Sequence, residues 1–315
     1  MGSFYSKYSE EQSESHTRFT YGHVPDTYNM NDLKFHIKKH VREATVPNSC
    51  SLEDQFPPAM NQGVLHSSTA CAIASVIRYI QTKSDRNHKV DPSVMYLYYL
   101  GRHPSQTMLN IGTSLQKTFT LMNKYGIKDE KQFRYIEDCF TMKPDLHDRT
   151  HHFQGLFESR KVKQDLKTFQ LCLSVYEKPI LFGFNIYESF LRVLDWDNDG
   201  KMPLPKENEK LLGSQTGVCV GFSEKKQAFL IRNSWGEQWK NNGYFLMPYD
   251  YFCGENCCDF WTLDLISDIE FDGFEQSTKR RKKRHHHSQK SKKKDKEKEK
   301  EMVIPLESKF MIKPE

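Results

Sequence analysis

The sequence predicts an α+β body of two packed halves, helices first and strands later. Three observations carry that expectation. Apolar residues recur at helical spacing between residues 68 and 125; short β-branched or aromatic runs follow between 180 and 248; turn residues punctuate those runs. From Ser68 onward, Ala70, Ile73, Ala74, Ile77 and Ile80 fall on one helical face. Asp91-Pro92 sets a cap residue and a first-turn proline ahead of the run SVMYLYYL, announcing a second helix. Thr113 through Tyr125 reads as a third, closed by Gly126. The runs ILFGFNI (180–186), VCVGF (218–222), AFLIRN (228–233) and YFLMP (244–248) read as strands.

Composition bounds the rest. The 315 residues are 37% hydrophobic and 13% aromatic, which suits a folded body with a core. Charge is uneven. Between Lys279 and Lys300 thirteen Lys/Arg stand against three acids, a net of +10; the whole chain is only +5, so the remainder carries −5. The expected organisation is a mobile polar leader (1–20), a globular body (21–274) and a basic low-complexity tail (275–315). The opening MGSFYSKYSEEQSES lacks the apolar core of a secretory signal, and no apolar run approaches the ~20 residues that span a bilayer. The Met-Gly-x-x-x-Ser start fits the loose myristoylation pattern, and an artificial start fits it equally. An intracellular protein is therefore expected. Its eight cysteines then read as buried thiols rather than a disulfide framework. Cys253-x-x-x-Cys257-Cys258 has no partner CxxC or HxxxH pair, so these cysteines read as structural, with no metal and no cofactor expected.

Two segments carry the chemistry. One is Asn61-Gln62-Gly63-Val64-Leu65-His66-Ser67-Ser68-Thr69-Ala70. The other is Gly213-Ser214-Gln215-Thr216-Gly217-Val218-Cys219-Val220-Gly221-Phe222, followed by Ile231-Arg232-Asn233-Ser234-Trp235-Gly236 and Asn242-Gly243-Tyr244-Phe245. Their order resembles the papain/cathepsin family of cysteine peptidases, especially its compact branch in microbes and large DNA viruses. In that branch the nucleophile region runs Gln-Gly-x-Leu-Gly-Ser-Cys-Thr-Ala, the base region Gly-Gly-His-Ala-Val-x-x-Val-Gly-Tyr, and the orienting residue stands in Asn-Ser-Trp-Gly. The likeness extends from Tyr21-Gly22-His23 to Asp259-Phe260-Trp261 and takes in Gly112-Thr113-Ser114 and Phe182-Gly183-Phe184. It implies a papain-like cysteine proteinase fold: a helical half around the 68–80 helix, a β-rich half, and a cleft between.

In such a site a thiol at a helix N-terminus is acidified by the helix dipole and an imidazolium. The histidine moves the proton, an asparagine orients the imidazole, and a glutamine helps bind the oxyanion. The resemblance assigns Gln62 to the oxyanion glutamine, Asn233 to the orienting asparagine and Trp235 to the tryptophan that shields it. The cysteine position is Ser68, the histidine position is Gln215, and His66 replaces a glycine beside the substrate. A hydroxyl is a far weaker acid than a thiol, and a carboxamide does not take up a proton near neutral pH. In a well-characterised serine protease, losing nucleophile or base alone slows turnover roughly 10⁶-fold, about 8 kcal/mol of barrier. The resemblance thus implies a catalytically inactive homologue, a pseudoprotease that binds a protein or peptide.

Rivals stand beside it. An engineered Cys→Ser trap explains Ser68 but not Gln215 and His66. Cys71, three residues on, is rotated ~300° along a helix and reads as packing. His23, His36, His40 or His66 could supply a base from elsewhere, which keeps open an active peptidase with an unusual nucleophile; no histidine lies between His152 and His285. Asp195-Trp196-Asp197-Asn198-Asp199-Gly200 copies the opening of a calcium loop, but the twelfth position is Lys206 rather than a bidentate glutamate. The tail offers a third class: an assembly or nucleic-acid-associated factor acting through residues 279–300. There the block Lys279, Arg280, Arg281, Lys282, Lys283, Arg284 reads as a nuclear address or nucleic-acid patch.

Overall fold

The computed structural model describes residues 19–84, 89–147 and 154–269, all within one compact unit. The basic tail with Lys279 to Arg284, and the leader short of Phe19, lie outside the described residues.

Helix α1 (Lys39–Arg42) is a single turn; α2 (Ser68–Thr82) is the central element. The apolar face read from sequence is there, but Cys71, Ala72, Val76 and Tyr79 on the other faces are buried as well. A helix apolar all round sits inside a core instead of on its surface. Burying Ile73, Val76 and Ile77 contributes roughly 1.5–3 kcal/mol each.

Helix α3 (Val94–Arg102) starts two residues later than Asp91-Pro92 announces. Ser93 is its cap, accepting from the Tyr96 N–H at 3.0 Å, while Asp91 pairs with Arg78 and Pro92 bridges to Asp129. A serine cap satisfies an orphan N–H of the first turn, and that decides the boundary. Its last residue, Arg102, is fully buried. Its guanidinium donates to the carbonyls of Tyr98, Thr107, Leu109 and Phe140 and lies 3.9 Å from the Tyr98 ring centroid. Helix α4 (Leu115–Tyr125) is capped by Ser114 and closed by Gly126 at φ +80°.

Seven strands form one antiparallel sheet: β1 (Ser49–Ser51), β2 (Gln154–Lys161), β3 (Ile180–Tyr187), β4 (Leu211–Ser223), β5 (Ala228–Arg232), β6 (Tyr244–Pro248) and β7 (Cys257–Ile269). Their order is β2-β7-β3-β4-β5-β6, with β1 added to β4. Helix α5 (Leu166–Ser174) and the short α6 (Glu188–Leu191) and α7 (Tyr249–Phe252) complete the body. Helices and sheet share one core. All eight cysteines are free thiols, Cys71, Cys172, Cys219 and Cys257 being buried. Among the described residues no helix is long and apolar enough to cross a membrane.

Candidate active-site cleft

The N-terminus of α2 meets β4 at Ser68. The loop ahead of it is fixed: Ser67 Oγ hydrogen-bonds the Tyr135 phenol at 2.6 Å, and that phenol donates to the Gln62 carbonyl at 2.8 Å. Ser68 is fully buried, and its Oγ accepts from the Thr216 N–H at 3.2 Å. The β3–β4 register sets Gln215 opposite Phe184 and Thr216 opposite Gly183; β5 ends at Arg232 and delivers Asn233 beside them.

Three buried carboxamides then interlock. Gln215 Nε2 donates to Gln62 Oε1 at 2.9 Å and to Asn233 Oδ1 at 3.0 Å, with Ser234 Oγ at 3.3 Å. Ser234 Oγ donates to Gln62 Oε1 at 2.6 Å, and the Ser234 N–H donates to Asn233 Oδ1 at 2.9 Å. Gln62 Nε2 turns the other way, donating to the carbonyls of Thr20 at 3.1 Å and Leu65 at 3.0 Å. The brace is nearly complete: of its amide atoms only the Asn233 Nδ2 is buried without a partner.

The chain itself lies across these groups. The His23 N–H donates to the Ser214 carbonyl at 2.9 Å, the Thr113 N–H to Gly22 at 2.9 Å, and the Val24 N–H to Thr113 at 3.1 Å. Thr20 Oγ1 donates to the Leu65 carbonyl at 2.8 Å, and Phe19 stacks on Trp235 with centroids 4.3 Å apart. Phe19 and Thr20, expected in a mobile leader, are therefore held in place. A Cβ on Gly22 would stand 2.6 Å from Ser68 Oγ and 2.5 Å from the His66 carbonyl oxygen, so the approach needs glycine. At the position where the resemblance puts a glycine, His66 lies beside residues 19–24, which occupy the channel. His66 helps hold them, its Nδ1 donating to the Tyr21 carbonyl at 2.5 Å.

The remaining expected positions sort plainly. Trp235 is buried under Phe19. Cys71 is buried one turn into α2, and burial pushes its thiol up to about 12. His36 and His40 are exposed, and among the described residues no imidazole is hydrogen-bonded to Ser68 or Gln215. In the calcium-like loop, Asp195 pairs with Arg192, Asp197 accepts from the N–H groups of Asp199 and Lys201, and Asp199 lies 3.7 Å from Lys226 Nζ, so the carboxylates face different partners. Sequence reasoning missed Ser234 and Thr20; Gly22, within the likeness, was the one signal that backbone comes close here.

A model of the papain family cysteine proteases matches residues 110–260. An uncharacterized peptidase C1-like protein of Acanthamoeba polyphaga mimivirus is 30% identical over 234 residues, covering 69% of this chain and 72% of that one. The chain belongs to the papain family. Papain-family likeness holds in three dimensions as well. Xylellain, a cysteine protease from Xylella fastidiosa, matches with a TM-score of 0.70 at 26% identity, over 78% of this chain and 96% of its own. Procathepsin B S9 from Trypanosoma congolense shares the fold, with a TM-score of 0.59 at 14% identity over 79% and 86%. The papain-like α+β architecture expected from the sequence is thus the one observed, with Gln62, Ser68, Gln215 and Asn233 gathered where α2 meets β4.

Proposed function

We propose that this papain-family chain is a non-catalytic homologue that binds an acidic protein segment on its outer face. The observation that carries the proposal is the carboxamide of Gln215, whose nitrogen is committed to Gln62 and Asn233. A proton leaving Ser68 has no acceptor there near neutral pH. The oxyanion glutamine assigned by resemblance is likewise spent on Thr20 and Leu65. A groove of about 620 Å³ elsewhere supports the outer-face reading. It is lined by Phe35 and Leu171, by Lys34, Arg42, Lys163 and Lys167, and by one acid, Asp165, whose carboxylate caps α5. None of these four cations has a salt-bridge partner among the described residues. Apolar footing with unpaired cations fits a segment of acidic and apolar residues, the charges steering encounter.

The test has two arms. Purified protein should leave a panel of fluorogenic peptides uncut, and Ser68→Cys alone should not start turnover because Gln215 still lacks base character. Turnover that Ser68→Ala abolishes overturns the inactive reading. A fluorescent acidic peptide should bind the full chain, lose at least tenfold in affinity on reversing Lys34, Lys163 and Lys167 to Glu, and be indifferent to His66→Gly. Equal binding by the reversed chain overturns the outer-face reading.

A further inference from the structure

A second constellation lies on the far side of Thr216. His23, from the segment that covers the cleft, faces Cys258 and Asp259 of β7. His23 Nε2 is 3.2 Å from Asp259 Oδ2 and 3.6 Å from Cys258 Sγ, and Cys258 Sγ is 3.5 Å from the same Asp259 oxygen. The local backbone is built for this meeting. Gly183 pairs with Cys258 and Leu181 with Trp261, so two residues of β7 oppose the single Phe182: a bulge, with Asp259 at φ +55°. Neighbouring side chains of a regular strand point to opposite faces, and a bulge re-aims one of them. Both Cys258 and Asp259 thereby reach the imidazole. The ring itself needs Gly183, where a Cβ would stand 2.1 Å from Nε2.

Cys, His and Asp side by side suggest a nucleophilic triad, and the geometry rejects it. A triad needs the nucleophile on one ring nitrogen and the carboxylate on the other. Here both crowd Nε2, while Nδ1 lies 3.2 Å from Thr216 Oγ1. Three donors converging on one point suit an ion instead. Zinc bonds of about 2.0–2.2 Å to N and O and about 2.3 Å to S, at tetrahedral angles, ask for N···O edges of roughly 3.4 Å and S···N and S···O edges of roughly 3.6 Å. The three separations match those edges within about 0.2 Å. Surrounding contacts are of the kind that orient metal ligands: Thr216 fixes the ring, and the Asp26 N–H donates to Asp259 Oδ2 at 2.8 Å.

We propose that His23, Cys258 and Asp259 form a binding site for a zinc-type divalent cation, which ties residues 19–24 to β7. The thiolate and carboxylate together neutralise the ion's charge, and the soft thiolate with imidazole favours zinc over magnesium or calcium. On binding, the Cys258 proton leaves to solvent, and three protein donors leave a fourth position for water or another ligand.

Cobalt(II) titrated into chelator-treated full-length protein tests the site. One equivalent should raise a thiolate-to-cobalt charge-transfer band, displaced by zinc. Cys258→Ser should abolish the band, His23→Ala should weaken cobalt binding at least tenfold, and Cys253→Ser should change neither. The His285-His286-His287 run of the tail can take cobalt but has no thiol to give the band. In the parent chain alone, zinc should slow amide exchange at His23 and Val24. No charge-transfer band at millimolar cobalt, a band that survives Cys258→Ser, or zinc-independent exchange at His23 would each overturn the proposal.

Discussion

Gly22→Ala is the sharpest probe of the covered cleft. The added methyl would meet the His66 carbonyl oxygen at 2.5 Å, its carbon at 2.7 Å and Ser68 Oγ at 2.6 Å. The hydroxyl can rotate, but the carbonyl belongs to the backbone just ahead of α2 and cannot. Overpacking of this kind costs typically ~1–3 kcal/mol. The strain falls on a segment whose local opening is opposed by a few hydrogen bonds, each worth a net ~0.5–1.5 kcal/mol, from His23, Val24, Thr20 and the Thr113 N–H. Opening of residues 19–24 should therefore become about 5- to 150-fold more frequent, at tenfold per 1.4 kcal/mol. Native-state hydrogen exchange reads this directly: the amides of His23 and Val24 should lose that factor of protection while those of Ile73, Val76 and Ile77 in α2 keep theirs. Unchanged protection at His23 would mean that Gly22 is not pressed against Ser68. A matching fall throughout α2 would mean global destabilisation and refute local release.

Other perturbations have equally definite outcomes. Arg102→Met removes a buried cation and leaves the carbonyls of Thr107, Leu109 and Phe140 without their donor, so denaturant titration should show a loss of about 3 kcal/mol or more; a change under 1 kcal/mol contradicts the role given to the guanidinium. Burial pushes the Lys240 ammonium down from 10.5 to about 8, its Nζ lying 3.7 Å from the Trp196 ring centroid. Between those two values the unfolded chain binds more protons than the folded one, so this group makes stability rise with pH there. Lys240→Met should flatten that part of the stability–pH curve relative to the parent, and identical slopes would refute the burial. The basic tail predicts salt-sensitive nucleic-acid binding by the full chain that is lost on removing residues 275–315; no binding by the full chain, or binding kept by the shortened one, would refute it.

The strands at 180–187, 228–232 and 244–248 were legible because they are short apolar runs between turns. β7 was not. Cys257-Cys258-Asp259 carries an acid and a bulge where a strand pattern should alternate, and pairing with β2 and β3 overrides local preference. The front of β4, with Gly213, Ser214 and Gln215, is polar for the same reason that it is interesting, since its partners are carboxamides and the cleft segment. At the site, Gln62, Ser68, Gln215 and Asn233 could be placed by motif. What lay on top of them could not, because the contact between Gly22 and Ser68 spans 46 positions of chain with no spacing rule to announce it. His23 and Asp259, 236 positions apart, were invisible for the same reason.

The segment across the cleft is also a tethered competitor. Any peptide arriving from solution must displace residues that are never farther away than the length of their own chain, so its apparent affinity is its intrinsic affinity reduced by the fraction of molecules standing open. A segment held by ~3 kcal/mol would weaken every cleft ligand by roughly two powers of ten while leaving ligands of the Lys34–Lys167 groove untouched. Affinity selections against the intact chain are thereby biased toward the groove. The Gly22→Ala chain relieves that bias without altering one side chain of the cleft wall.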